Sequence, residues 1–103
     1  MGLIAATVNT QYLIAYKNEL EYKITLINQA KMGLSDSTSD LLTAGTDLDP
    51  ENPAVKQLEQ RRERLNLLEK KLDMQLEEYE TKLKMVDKNL EASKQMADKS
   101  IGK

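Results

Sequence analysis

The sequence predicts an all-α protein in which two long helices pair as an antiparallel coiled-coil hairpin. Three observations predict this fold: a composition poor in aromatic residues, a seven-residue repeat of apolar residues that occurs twice, and one proline-containing break between the repeats. We predict a single domain over residues 1–103, with a helix at about 4–43, a loop at 44–52 and a helix at about 53–100. At ~1.5 Å per residue, helices of these lengths run roughly 60 and 70 Å.

The seven-residue repeat defines one apolar stripe on each predicted helix. The first set is Leu13, Leu20, Ile27, Leu34 and Leu41, and the second is Leu58, Leu65, Leu72, Tyr79 and Val86. Residues three or four positions away complete the stripes: Tyr16, Ile24, Ala30 and Thr38 in the first, and Leu68, Leu76, Leu83, Leu90 and Ala97 in the second. This spacing places each set on one helix face and favours left-handed supercoiling of the packed helices.

The break between the repeats contains residues suited to ending one helix and starting another. Gly45 is expected to cap the first helix at a positive φ, and the chain is expected to reverse near residue 48. Asn52 followed by Pro53 has the form of an N-cap and a first-turn proline, and Asp49-Pro50 has the same form. We therefore predict the turn residues to be Pro50, Asn52 and Pro53, with the second helix starting at Pro53.

Residues 33–43 leave two interpretations open. This stretch is rich in Gly, Ser, Thr and Asp, which are poor helix formers. Leu34 and Leu41 nevertheless keep the seven-residue repeat through it, which favours a continuous helix. The alternative is a first helix that stops near Met32 and is followed by a long loop.

The side of each helix opposite its stripe is expected to form an assembly interface. Two helices cannot enclose a core on both of their faces, and residues 3–16 carry no charge at all. The expected interface residues are Ile4, Val8, Tyr12, Ala15, Tyr22 and Leu26 on the first helix, and Met74, Met85 and Met96 on the second. Scattered exposed apolar residues, which are normal on any surface, are the alternative explanation.

Composition argues against catalysis and against metal or cofactor binding. The chain has no Cys and no His, so it lacks thiolate nucleophiles, the usual general base and the commonest metal ligands. The acidic residues around the break do not have the order of an EF-hand loop. We therefore expect no enzyme activity, no catalytic residues, no cofactor and no metal.

Charge and hydropathy restrict which partners and which cellular location are expected. Net charge is −2, and the single basic cluster, Arg61-Arg62-x-Arg64, is interrupted by acidic residues, so no nucleic-acid partner is expected. The uncharged run from Leu3 to Tyr16 is shorter than the ~20 apolar residues of a membrane-spanning helix. No basic region precedes it, as a secretory signal would need. The location is expected to be either cytoplasmic or outside the cell after export without a cleaved signal peptide.

The break and the second helix resemble the needle-subunit family of type III secretion systems. Pro50-Glu51-Asn52-Pro53 matches that family's Pro-x-x-Pro turn, and Ala54, Val55 and Gln57 follow it as in the family. The similarity extends over the periodic second helix to near Ile101. It implies a two-helix subunit that polymerises into a helical tube, with both helices in subunit contacts and with secretion machinery as a partner.

Two functions follow from these expectations. The first is a non-enzymatic, self-associating structural or secreted subunit that forms a homo-oligomer such as a filament or needle-like assembly. The second is a cytosolic coiled-coil adaptor or secretion chaperone whose exposed stripe binds a partner helix.

Overall fold

The computed structural model describes the backbone of residues 2–101 and the side chains of residues 2–99. Two helices, α1 (Gly2–Thr46) and α2 (Pro53–Ile101), are joined by residues 47–52, and the described part of the chain contains no strand. The predicted all-α helical hairpin is confirmed. The start of α2 is at the predicted residue, whereas α1 extends beyond the predicted 4–43 at both ends and shortens the predicted 44–52 loop.

The chain forms two compact units, and both helices contribute to each. Unit 1 comprises Met1–Thr25 with Glu77–Lys103, and unit 2 comprises Leu26–Leu76. Within each unit a segment of α1 packs against an antiparallel segment of α2.

Unit 1 contains a well-packed apolar core. Leu13, Leu20, Val86 and Leu90 form a buried cluster, against which Tyr16, Tyr79 and Leu83 pack. Leu20 is 2% exposed. These residues come from both predicted stripes, so the predicted pairing of the stripes is confirmed in this unit.

Polar groups extend the same interface beyond the apolar core. Ser93 is buried and donates a hydrogen bond from its Oγ to the carbonyl oxygen of Ala6, at 3.0 Å. The Nδ2 of Asn9 donates to Ser93 Oγ at 3.2 Å, and the Oγ1 of Thr10 lies 2.7 Å from the same atom. No buried side-chain nitrogen or oxygen atom among the described residues lacks a hydrogen-bond partner, as burial requires.

Unit 2 is packed less tightly than unit 1. Ile27 is its one buried apolar residue among those described, while the other residues of its two seven-residue repeats are half-buried: Leu34, Leu41, Leu58, Leu65 and Leu72. An ion pair between Lys31 Nζ and Asp73 Oδ1, at 2.5 Å, links the two helices of this unit.

Residues 33–43 are helical, so the alternative of a long loop after Met32 is wrong. The hydroxyl groups of this region bond within the helix: Thr38 Oγ1 donates to the carbonyl oxygen of Leu34 at 2.9 Å, and Thr43 Oγ1 donates to that of Ser39 at 3.0 Å. Threonine hydroxyl groups can compete with the helix for backbone hydrogen-bonding groups, but here they bond within α1 and do not end it.

The prediction that Gly45 ends α1 at a positive φ is wrong. No described glycine has a positive φ, and α1 continues to Thr46. A Cβ atom at Gly45 would lie 3.7 Å from Leu58 Cδ1, so the helices approach closely at this residue. The chain reverses between Thr46 and Pro53, a connection that contains the predicted residue 48. The amide of Leu48 donates to the carbonyl oxygen of Gly45 at 3.3 Å, and the amide of Asn52 donates to that of Asp49 at 2.8 Å, which closes a turn around Pro50.

The predicted start of α2 is confirmed by its capping bonds. The Oδ1 of Asn52 accepts a hydrogen bond from the amide of Ala54 at 2.9 Å, and Pro53 occupies the first helical position. The Oδ1 of Asp49 accepts from the amide of Glu51 at 3.1 Å. Asn52 therefore satisfies a backbone donor that the first helical turn leaves without a partner.

Candidate assembly surface

An apolar surface runs along the exposed side of α1 in unit 1. It consists of Ile4, Val8, Tyr12, Ala15 and Tyr22, all of which are exposed, and we call it the outer face of α1. The four large side chains among them are 59–72% exposed. Lys17 is the first charged side chain in the sequence, so no charge interrupts the N-terminal part of this surface.

The outer face has its own coiled-coil spacing. Steps of three and four residues connect Ala5, Val8, Tyr12, Ala15, Glu19 and Tyr22. This is the spacing that packs one helix against another, and here its residues lie outside the stripe that contacts α2. Glu19 is the one charged residue in this series. Helix α1 therefore carries two faces with coiled-coil spacing, and α2 packs against one of them.

Tyr12 links the outer face to the core of unit 1. Its ring stacks on that of Tyr16 with ring centroids 6.3 Å apart and planes within 3° of parallel. Tyr12, Tyr16 and Met85 also line an open groove of about 250 Å³ between α1 and α2. The structure thus brings together two of the predicted interface residues, Tyr12 and Met85.

The remaining predicted interface residues are also exposed. Met96 is exposed in unit 1, and Leu26 and Met74 are exposed in unit 2. Exposed Leu3 and Ile14 adjoin the outer face, although they were absent from the predicted set. Their position in the uncharged run of residues 3–16 is the signal that could have identified them. Whether these residues form an interface stays a prediction.

The charges nearest the outer face are engaged in ion pairs. Lys23 Nζ lies 3.1 Å from Glu19 Oε1 and 5.5 Å from the centre of the Tyr79 ring. The hydrogen bond and charge of Glu19 raise the pKa of Lys23 above its ordinary value. Glu19 is therefore partly neutralised where it interrupts the apolar series.

Lys82 makes the equivalent contacts with the Tyr79 ring. Its Nζ lies 3.0 Å from Glu78 Oε1 and 5.7 Å from the centre of the ring. The hydrogen bond and charge of Glu78 raise the pKa of Lys82. Both lysines therefore lie close to Tyr79 at the edge of the core, where its ring attracts the two cations.

The described residues contain neither a metal-binding cluster nor a helix suited to crossing a membrane. Those residues include no group of three or more His, Cys, Asp or Glu side chains that could hold a metal ion. Neither helix, over its described length, combines the length and apolar character that crossing a membrane requires.

Comparison of the chain with protein-family models, with curated proteins and with solved structures gives no match. The fold and the exposed surfaces are therefore the basis on which a function is assigned.

Proposed function

We propose that the protein is a non-enzymatic structural subunit that associates with further copies of itself through the outer face of α1. The single observation that carries this proposal is the continuous, uncharged and exposed apolar surface of Ile4, Val8, Tyr12 and Ala15, with Tyr22 beyond it. Soluble proteins rarely leave such a surface uncovered unless it binds something.

Physical chemistry favours covering this surface. Removing apolar area from water contributes roughly 25 cal/mol per Å², and the large side chains of the outer face are mostly exposed. Neither of the two described helices covers this surface, and small scaffolds commonly gain stability by association. A second copy supplies the same apolar surface in return.

The resemblance of the Pro50–Pro53 turn to needle subunits supports an exported subunit of a filament or needle-like assembly. A second candidate is a cytosolic adaptor or secretion chaperone that binds a partner helix. The groove that Tyr12 and Met85 line together with Lys82 and Asn89 favours this candidate, because a largely apolar groove can accept the apolar face of an amphipathic helix. Cell fractionation separates the two candidates: an exported subunit is recovered outside the cell, whereas an adaptor or chaperone stays inside.

Light scattering over a concentration series tests self-association with two matched variants. Val8→Asp places a carboxylate on the outer face of α1, and Leu67→Asp makes the same change at a similarly exposed position on α2. We expect Val8→Asp to lower the average mass to that of the monomer and Leu67→Asp to leave it unchanged. A wild-type protein that stays monomeric at high micromolar concentration, or equal effects of the two variants, would contradict the proposal.

A further inference from the structure

We infer that two copies of the chain pair through the outer face of α1 in antiparallel orientation, with Tyr12 of each copy packed against Ala15 of the other. This inference rests on the proposed self-association and specifies its geometry. It follows from the sizes of the side chains along the outer face and from the distribution of charge along α1.

Side-chain size makes the outer face complementary to itself when one copy is reversed. An antiparallel coiled coil centred between Leu13 and Ile14 brings Ala5 level with Tyr22 of the second copy and Tyr12 level with Ala15 of the second copy. Each of these tyrosines then meets a small residue, and large side chains interdigitate with small ones as in a well-packed core. In a parallel pair each layer repeats one residue type, so that Tyr12 meets Tyr12 and Ala15 meets Ala15.

Charge favours the same orientation. In a parallel pair Glu19 would stand directly against Glu19 of the second copy, and like charges in facing positions are destabilising. In the antiparallel pair Glu19 lies beside Val8 of the second copy, within a segment that has no charge before Lys17. The charged part of each α1 segment therefore runs along the uncharged part of the other, and no like charges meet.

The proposed contact uses the same surface on both copies and is therefore two-fold symmetric. Such a contact closes at two copies and does not by itself continue into a fibre. Growth of the dimer into a filament needs a second surface, for which the exposed methionines of α2 are available: Met74, Met85 and Met96.

Disulfide trapping distinguishes the orientations, because the natural chain has no cysteine. Two single-cysteine variants, Ala5→Cys and Tyr22→Cys, are oxidised separately and as an equimolar mixture, and the products are identified by mass spectrometry. We expect a mixed disulfide between the two variants and little homodimer of either. In the antiparallel pair, equivalent cysteines are about 26 Å apart along the axis at ~1.5 Å per residue, which is far beyond disulfide reach.

Light scattering under reducing conditions shows whether each cysteine variant still associates, and Asn66→Cys, on an exposed part of α2, measures disulfides formed by random collision. Homodisulfides of Ala5→Cys alone and of Tyr22→Cys alone, above that background, would indicate a parallel pair and overturn the inference. Association without any trapped disulfide would place the contact on another surface and overturn it as well. A monomeric protein in every sample would instead refute the proposed function.

Discussion

The hydroxyl group of Ser93 occupies a position that an apolar residue would fill in a regular coiled coil. It follows Val86 by seven residues, on the stripe of α2 that packs against α1. The structure satisfies it with the Ala6 carbonyl, the Asn9 amide and the Thr10 hydroxyl. Since each of these partners has to be in place, the cluster specifies which residues of the two helices face each other.

Replacing Ser93 by alanine tests the contribution of this cluster. We expect Ser93→Ala to lower the free energy of unfolding by about 1–2 kcal/mol relative to Ser35→Ala, because the Asn9 amide loses its acceptor and the Ala6 carbonyl loses a donor. Ser35 is exposed on α1, so its replacement reports the gain in helix propensity alone. Urea unfolding of both variants measures the difference, and equal midpoints would show that the cluster does not stabilise the fold.

Lys17 is half-buried at the α1–α2 interface of unit 1, where its Nζ lies 2.8 Å from Asp87 Oδ1. The hydrogen bond and charge of Asp87 raise the pKa of Lys17 above its ordinary value of 10.5. Folding therefore favours the protonated amine. The stability that this pair contributes is fully present below pH 10.5 and is lost as the pH rises through the raised pKa.

The variant Asp87→Asn makes this pH dependence measurable. We expect the wild-type protein to have the higher free energy of unfolding at neutral pH, and we expect its advantage over the variant to shrink above pH 10.5. Comparing the two proteins at each pH removes the effects that they share. An advantage that stays constant through that range would mean that the Lys17 ammonium is not its source.

At the scale of the element, α1 is a long helix with two interior glycines, Gly33 and Gly45. Neither has a positive φ, so neither needs to be glycine for conformational reasons. A Cβ atom at Gly33 would meet no atom within 4 Å, and one at Gly45 would make an ordinary van der Waals contact with Leu58. Both positions therefore accept a methyl group.

Alanine at either glycine should stabilise the protein. We expect Gly33→Ala and Gly45→Ala each to raise the free energy of unfolding by about 0.5–1 kcal/mol, because alanine loses less backbone freedom on entering a helix. Ala44→Gly, at an exposed position beside Gly45, should lower it by a similar amount. Circular dichroism melts compare the three variants. A lower melting temperature for Gly45→Ala would indicate a left-handed glycine cap after all.

The apolar repeat predicts correctly which residues are buried in most cases, because burial in a coiled coil depends closely on the position of a residue in the seven-residue repeat. It is wrong at Leu68, which is 49% exposed. Leu68 follows Leu65 by three residues, whereas Leu76 and Leu83 follow their heptad residues by four and are half-buried. In α2 the residue four positions after a heptad residue faces α1. The sequence spacing alone does not show whether the residue three or four positions later is the buried one. Ala30 is exposed for a related reason, since its side chain is too short to reach the interface that Tyr16 reaches from the equivalent position.

The hydrogen bonds of Ser93 between the two helices were harder to predict from the sequence than the apolar core. The Ser93 cluster depends on which residues of α1 come opposite Ser93, and that register depends on where the chain reverses. The turn was expected near residue 48, and Gly45 was expected to cap the first helix, because glycine is common at helix C-terminal caps. Gly45 is helical instead, and the reversal lies within residues 47–52, which include residue 48. The candidate assembly surface, in contrast, was predictable from the absence of charge before Lys17.

At the scale of the whole molecule, packing differs between the two units, and core truncations should reveal it. Leu20 in unit 1 is 2% exposed, whereas Leu72 in unit 2 is half-buried. We expect Leu20→Ala to lower the free energy of unfolding by about 3–5 kcal/mol and Leu72→Ala by about 1–2 kcal/mol, since less apolar area is buried at Leu72.

Urea unfolding measures both losses, with Lys70→Ala, at an exposed position of α2, as a control that should stay within about 0.5 kcal/mol of wild type. Equal losses for the two leucine variants would contradict the difference in packing.

The position of the Ser93 cluster along the chain has a consequence for the order of folding. Its hydrogen bonds join residues 83–87 positions apart, whereas the bonds of the 49–52 turn join close neighbours. Closing a long loop costs more chain entropy than closing a short one, so contacts near the turn form at lower cost and those of Ser93 form late. Ser93 should then be largely unstructured in the transition state. Its replacement should speed unfolding while the folding rate hardly changes, so this cluster would set how long the native state persists.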